Sequence, residues 1–127
     1  MPSPTLAAKL GLKEGMSAYS LDHPSHYHTL IADAPVIPGE SPVDEADFVH
    51  VFSEHQDRLI TLLDIALPTL ADRGMLWISW PKKSSGRRTN LSMNVVLRIG
   101  RAIGMVDIKI CSVDETWSAV KFVYRRS

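Results

Sequence analysis

Phe48-Val49-His50-Val51-Phe52 and, further along, Met75-Leu76-Trp77-Ile78-Ser79-Trp80 decide how this chain is read. Both are short, nearly all-apolar runs rich in β-branched and aromatic residues. That is the pattern of strands buried on both faces of a parallel sheet. Between them, Ser53 and Gln56 stand at capping-box spacing, which predicts a helix start. Leu59, Leu62, Leu63, Ala66 and Leu70 then recur at helical spacing. Pro68 has no N–H and should kink or divide that helix. Gly74 is its natural stop, and Pro81 closes the second strand.

Working outward, residues 82–88 form a polar, basic loop containing Ser84-Ser85-Gly86. Asn90 is placed to cap a helix from Leu91 to about Ile103. Leu91, Val95, Ile99 and Ala102 share one face of it, and Asn94, Arg98 and Arg101 another. Val106, Ile108 and Ile110 alternate with Asp107, Lys109 and Cys111, as do Val120, Phe122 and Tyr124 with Lys121 and Val123. Such period-two runs predict half-buried strands. Asp114-Glu115-Thr116-Trp117-Ser118 is too short a connection for anything but an antiparallel hairpin. Toward the start, residues 4–13 read as a short helix and Met16–Leu21 as a strand. A turn follows at Asp22–His26, then one or two helical turns over Tyr27–Asp33. Residues 35–45 form a loop with a short strand at Val36-Ile37. The expectation is one α/β domain over 1–127, a Rossmann-like three-layer sandwich whose mostly parallel sheet ends in a reversed strand.

Composition narrows the function classes. Of 127 residues, 45% are hydrophobic and 22% charged, which suits a globular domain rather than a disordered chain. The formal net charge of zero argues against strong capture of nucleic acid. Cys111 is the single cysteine, so no intrachain disulfide framework can form. No segment approaches the roughly 20 apolar residues that span a bilayer. Met1-Pro2-Ser3-Pro4 lacks the features of a signal peptide, so the expected location is cytoplasmic.

From residue 47 onward the order of elements resembles the last half of a class I S-adenosylmethionine-dependent methyltransferase, which ends in a reversed-strand hairpin. Nearly the whole chain resembles a bacterial family of small uncharacterised proteins, a domain of unknown function. The segments that carry the likeness are 9–16, Leu76-Trp77-Ile78-Ser79-Trp80-Pro81-Lys82-Lys83, and Val106-Asp107-Ile108-Lys109 running into Asp114-Glu115-Thr116-Trp117-Ser118. The resemblance implies the fold and no particular activity. Pro68 departs from it. The glycine-rich turn that lets backbone approach the methyl donor is also missing, since the first strand is followed by Leu21-Asp22-His23-Pro24-Ser25-His26. No cofactor is therefore expected.

In open α/β sheets ligands bind beyond the carboxyl ends of the parallel strands. That rule selects Asp22, His23 and His26 after the first strand, and Glu54 after the second. It selects Trp80, Lys82 and Lys83 after the third, and Asp114, Glu115 and Trp117 in the hairpin; Ser53, His55, Arg87 and Arg88 lie on the same loops. Three chemistries suit such a rim. Lys82, Lys83 and the backbone of Ser84-Ser85-Gly86 suit an anion, although the phosphate-binding P-loop spacing is absent and a solvated basic turn reads as well. Asp114 or Glu115 with Lys82 and His23 suits acid–base catalysis. Trp80 and Trp117 suit contact with a protein partner, a second copy of the chain included. His23, His26 and His28, with Asp22 and Glu54 nearby, carry donors that suit zinc or manganese, but they match no standard metal spacing and read as surface histidines, so no metal is expected. His50, inside an apolar strand, reads as a satisfied core histidine. The expected function is a methyltransferase-like domain binding a partner protein or small anionic ligand at this rim, with a small enzyme as the alternative.

Overall fold

The computed structural model describes residues 3–125. Its elements are α1 (Leu6–Leu10), β1 (Ala18–Leu21), α2 (Tyr27–Leu30), β2 (Ala46–Phe52), α3 (Gln56–Ala66), β3 (Leu70–Pro81), α4 (Met93–Ala102), β4 (Met105–Ser112) and β5 (Trp117–Tyr124). The five strands form one mixed sheet in the order β1-β2-β3-β5-β4. β1, β2 and β3 pair in parallel. β5 runs antiparallel to both β3 and β4, so the reversed strand lies inside the sheet and β4 is its edge. No helix among the described residues is long and apolar enough to cross a membrane.

Each face of the sheet carries its own apolar cluster, because successive strand residues point to opposite sides. Val49, Val51, Leu76 and Ile78 meet Leu59, Leu62 and Leu63 of α3 and Val96 of α4. Phe48, Phe52 and Trp77 meet Ala7 and Leu10 of α1 and Tyr27 of α2. Trp77 is fully buried, and its indole N–H donates to the Leu10 carbonyl at 2.9 Å, tying α1 to the central strand. Trp80 is also buried, at 4% exposed, and belongs to the first cluster rather than to an open rim.

Several local expectations are corrected. Ser53 does not cap α3, since its hydroxyl turns back onto the backbone of His55. Asn90 does so instead. Its Oδ1 accepts from Gln56 N at 2.7 Å, and its carbonyl accepts from Gln56 Nε2 at 2.9 Å. Helix α4 begins later than expected and is capped by Ser92, which accepts from Val95 N. The Pro68 expectation holds: α3 ends at Ala66, and Pro68 is the middle residue of a 3-10 turn over Leu67–Thr69. Leu70 and Gly74 therefore belong to β3, not to the helix. Register against β2 jumps between Ala46↔Leu70 and Phe48↔Met75, a bulge that holds Gly74. A Cβ there would sit 2.6 Å from the Ala46 carbonyl oxygen, so only glycine fits.

Helix α4 buries Val96 and Gly100, while Ala102 is exposed. Gly100 lies directly on the Phe122 ring, which leaves no room for a Cβ. On β4, Ile108 and Ile110 are each 55% exposed, so its apolar alternation points outward. The bulge between Asp107 and Lys109 shows that pairing is irregular there. No strand forms at Val36-Ile37; instead Gly39 makes one parallel bridge beside Tyr19. Gly39 N donates to Ala18 O at 3.0 Å, and Ser20 N donates to Gly39 O at 2.9 Å.

Candidate functional site

That bridge sets the topology of the site. From β1 the chain passes through α2 to Gly39 on the outer side of β1, then returns to β2 on the inner side. The order reverses at β1/β2, and a crevice opens where connections leave neighbouring strands in opposite directions. A cleft of about 470 Å³ lies there. Its walls are Asp22, Pro24, Ser25 and His26 after β1, the end of β2 with Ser53, Glu54 and His55, Arg58 of α3, Arg87 and Trp117.

The turn after β1 lacks glycine, yet Asp22 takes the left-handed φ of 57° that glycine usually supplies. Its carboxylate accepts two bonds from Arg58, Nε at 2.7 Å and Nη2 at 2.9 Å. Glu54 meets Arg87 more loosely, at 3.3 Å. The Arg87 guanidinium lies 5.5 Å from the centroid of the Trp117 ring. Trp117 is 4% exposed and packs edge-on against Phe52, and its Nε1 has no hydrogen-bond partner among the described residues.

Asp114 lies behind the cleft. Its Oδ2 is 2.6 Å from His26 Nε2, and its Oδ1 accepts from Thr116 N and Trp117 N at 2.8 Å each. Partial burial acts to raise its pKa, but the His26 bond and the two amides outweigh this and hold the carboxyl below its usual range. A carboxylate so stabilised is a hinge pin for the hairpin and for His26, not a proton donor near neutrality.

Of the ten rim residues predicted from sequence, Asp22, His26, Glu54 and Trp117 line the cleft, with Asp114 bonded to His26. Trp80, Lys82 and Lys83 line a separate depression beside Ser92 and Met93. Lys82 Nζ donates to Ser112 Oγ, and the following loop closes on itself through Ser85. Glu115 is exposed on the hairpin. His23 turns toward Ser20 and Glu40 instead. Lys82, Asp114 and His23 thus do not enclose a common pocket, and the catalytic constellation built from them is not assembled. His55 and Arg87, on the loops that strand polarity selects, also line the cleft, whereas sequence reasoning missed Arg58, which the first turn of α3 delivers.

Solved structures of LepI share this fold. LepI in complex with SAM superposes with a TM-score of 0.54 at 13% identity, over 85% of this chain and 36% of LepI. LepI bearing a single substitution, in complex with SAH and a substrate analogue, gives 0.55 at 14% identity, over 94% and 39%. The chain therefore spans well under half the length of these neighbours. No family model matches the chain, and no curated protein matches it in sequence. At such identities the likeness speaks to architecture: this is a mixed α/β chain with a methyltransferase-like fold.

Proposed function

We propose that this fold, read as a three-layer sandwich, binds a small anionic ligand in the β1/β2 cleft and does not hold S-adenosylmethionine through a glycine turn. The observation that carries the reading is the lining. Arg58, Arg87, His26 and His55 converge from three chain segments on one crevice, at the position where such sheets take ligands. Arg87 is the group with donors to give, since its bond to Glu54 is long and half-exposed. The Trp117 ring stands in the same wall, under the Arg87 guanidinium. Asp22, His23 and Pro24 carry side chains where the methyl donor needs bare backbone, and Arg58 and Glu40 already engage the first two. Kinship with small bacterial proteins of unknown activity belongs to this proposal, on the strings Trp80-Pro81-Lys82-Lys83 and Asp114-Glu115-Thr116-Trp117-Ser118.

Thermal-shift titrations with pyrophosphate and with S-adenosylmethionine, on the wild type and on Arg87→Ala, test it. A ligand at about 100 times its Kd adds roughly 2.7 kcal/mol, several degrees for a domain of this size. Pyrophosphate should give a saturable rise that Arg87→Ala weakens. A rise with S-adenosylmethionine alone would replace this reading with methyl-donor binding. Silence with both to millimolar concentration would turn the rim into a surface for a protein partner.

A further inference from the structure

The geometry points to a divalent transition-metal site, best suited to zinc, formed by His23, His28 and Glu40 beside the cleft. One ligand atom from each lies within 4.8 Å of the others. Three separate segments supply them: the turn after β1, the single turn of α2, and the loop pinned to the edge of β1. The pinning is what brings Glu40 in. Gly39 is bonded on both sides to β1, so the next residue is delivered beside the turn that holds His23.

The donor set has the chemistry of a metal centre. Two imidazoles and one carboxylate suit zinc and its neighbours, and three protein ligands leave a position for water. Ligands of zinc lie at about 2.0–2.1 Å, which puts tetrahedral donors about 3.3 Å apart. His23 Nε2 and Glu40 Oε1 already stand at 3.2 Å. The His23 and His28 rings are tilted by 35° with centroids 4.9 Å apart, and each offers a nitrogen within 4.8 Å of the other's. His23 also has the outer partner that orients a ligating imidazole. Its Nδ1 bonds Ser20 Oγ at 2.8 Å, which leaves Nε2 for the ion.

A second observation favours an ion over a simple His23–Glu40 pair. His28 Nε2 is buried and has no hydrogen-bond partner among the described residues. A buried ring nitrogen without a partner is costly to keep. A cation between it and His23 satisfies both rings and neutralises Glu40 in one step. Glu40 is largely exposed, so the open position faces solvent.

Cobalt(II) and zinc(II) titrations of the chelator-treated full chain test this. Cobalt should bind one ion per chain with the visible absorption of a low-coordinate site, and zinc should abolish that signal. His28→Ala and Glu40→Gln should each weaken cobalt binding by at least about 10-fold, and Ser20→Ala by about 10-fold as an outer partner. His55→Ala, in the cleft, should leave it unchanged. Glu40→Gln alters an exposed side chain, so circular dichroism should show the wild-type fold and its loss of metal is interpretable by itself. Absence of saturable binding below millimolar cobalt would overturn the assignment. So would binding that survives both Glu40→Gln and His28→Ala.

Discussion

Two histidine environments stand on either side of one tyrosine, and they differ in completeness. His50 is fully buried. Its Nδ1 is 2.9 Å from the Tyr27 hydroxyl and its Nε2 is 2.7 Å from Ser79 Oγ. Burial, with a smaller contribution from nearby His23, drives its pKa down to about 3, so the ring stays neutral with one nitrogen donating and one accepting. On the other side of Tyr27, His23 lies beside His28 and meets the exposed Glu40, while His28 Nε2 has no partner among the described residues. A buried polar group whose partners are all supplied by the chain specifies structure. One whose partners the chain supplies only in part, as at His28, is where the proposed ion would bind.

The largest effect that sharpens this contrast is His50→Ala. It opens a cavity and strands both the Tyr27 and Ser79 hydroxyls, which should cost about 3 kcal/mol in urea unfolding. A cost below about 1 kcal/mol would make His50 as dispensable as a surface histidine. The next effect is on pH. The folded pKa of His50 lies below its unfolded value of 6.5. Between those values the unfolded chain binds more protons, so His50 contributes stability that is full above about 6.5 and lost as pH falls toward 3. The wild type should lose up to about 1.4 kcal/mol per pH unit more than His50→Leu across that window. Equal slopes would mean the ring is hydrated and can charge. The smallest effect is Glu40→Gln in the metal-free protein, within about 0.5 kcal/mol of wild type. A larger loss would make the His23–Glu40 pair a structural element like its buried neighbour.

The strands of the central sheet were legible because Phe48–Phe52 and Met75–Trp80 are apolar on both faces, and only burial on both sides accounts for that. Alternation along β4 shows that its two faces differ, not which one meets the core, and the structure turns Ile108 and Ile110 outward. Asn90 was assigned to the wrong helix because capping patterns are local, while its side chain reaches back to the helix that starts at Gln56. The rim could be found from strand polarity alone. Its inner detail could not. Arg58 reads as an ordinary helix charge until the turn at Asp22 is placed beside it. Glu40 lies in a proline-rich loop without period, and nothing in that loop announces that Gly39 will bond to a strand.

The Gly39 bridge has a consequence for assembly. Its two backbone bonds occupy outward-facing groups of Ala18 and Ser20, so the β1 side of the sheet is already finished by the chain itself. The opposite side is not: β4 has no backbone partner beyond β5 among the described residues, and it displays Ile108 and Ile110. A sheet closed on one side and open on the other is a terminus, not a link. One glycine in an irregular loop thus keeps the β1 edge from templating a further strand.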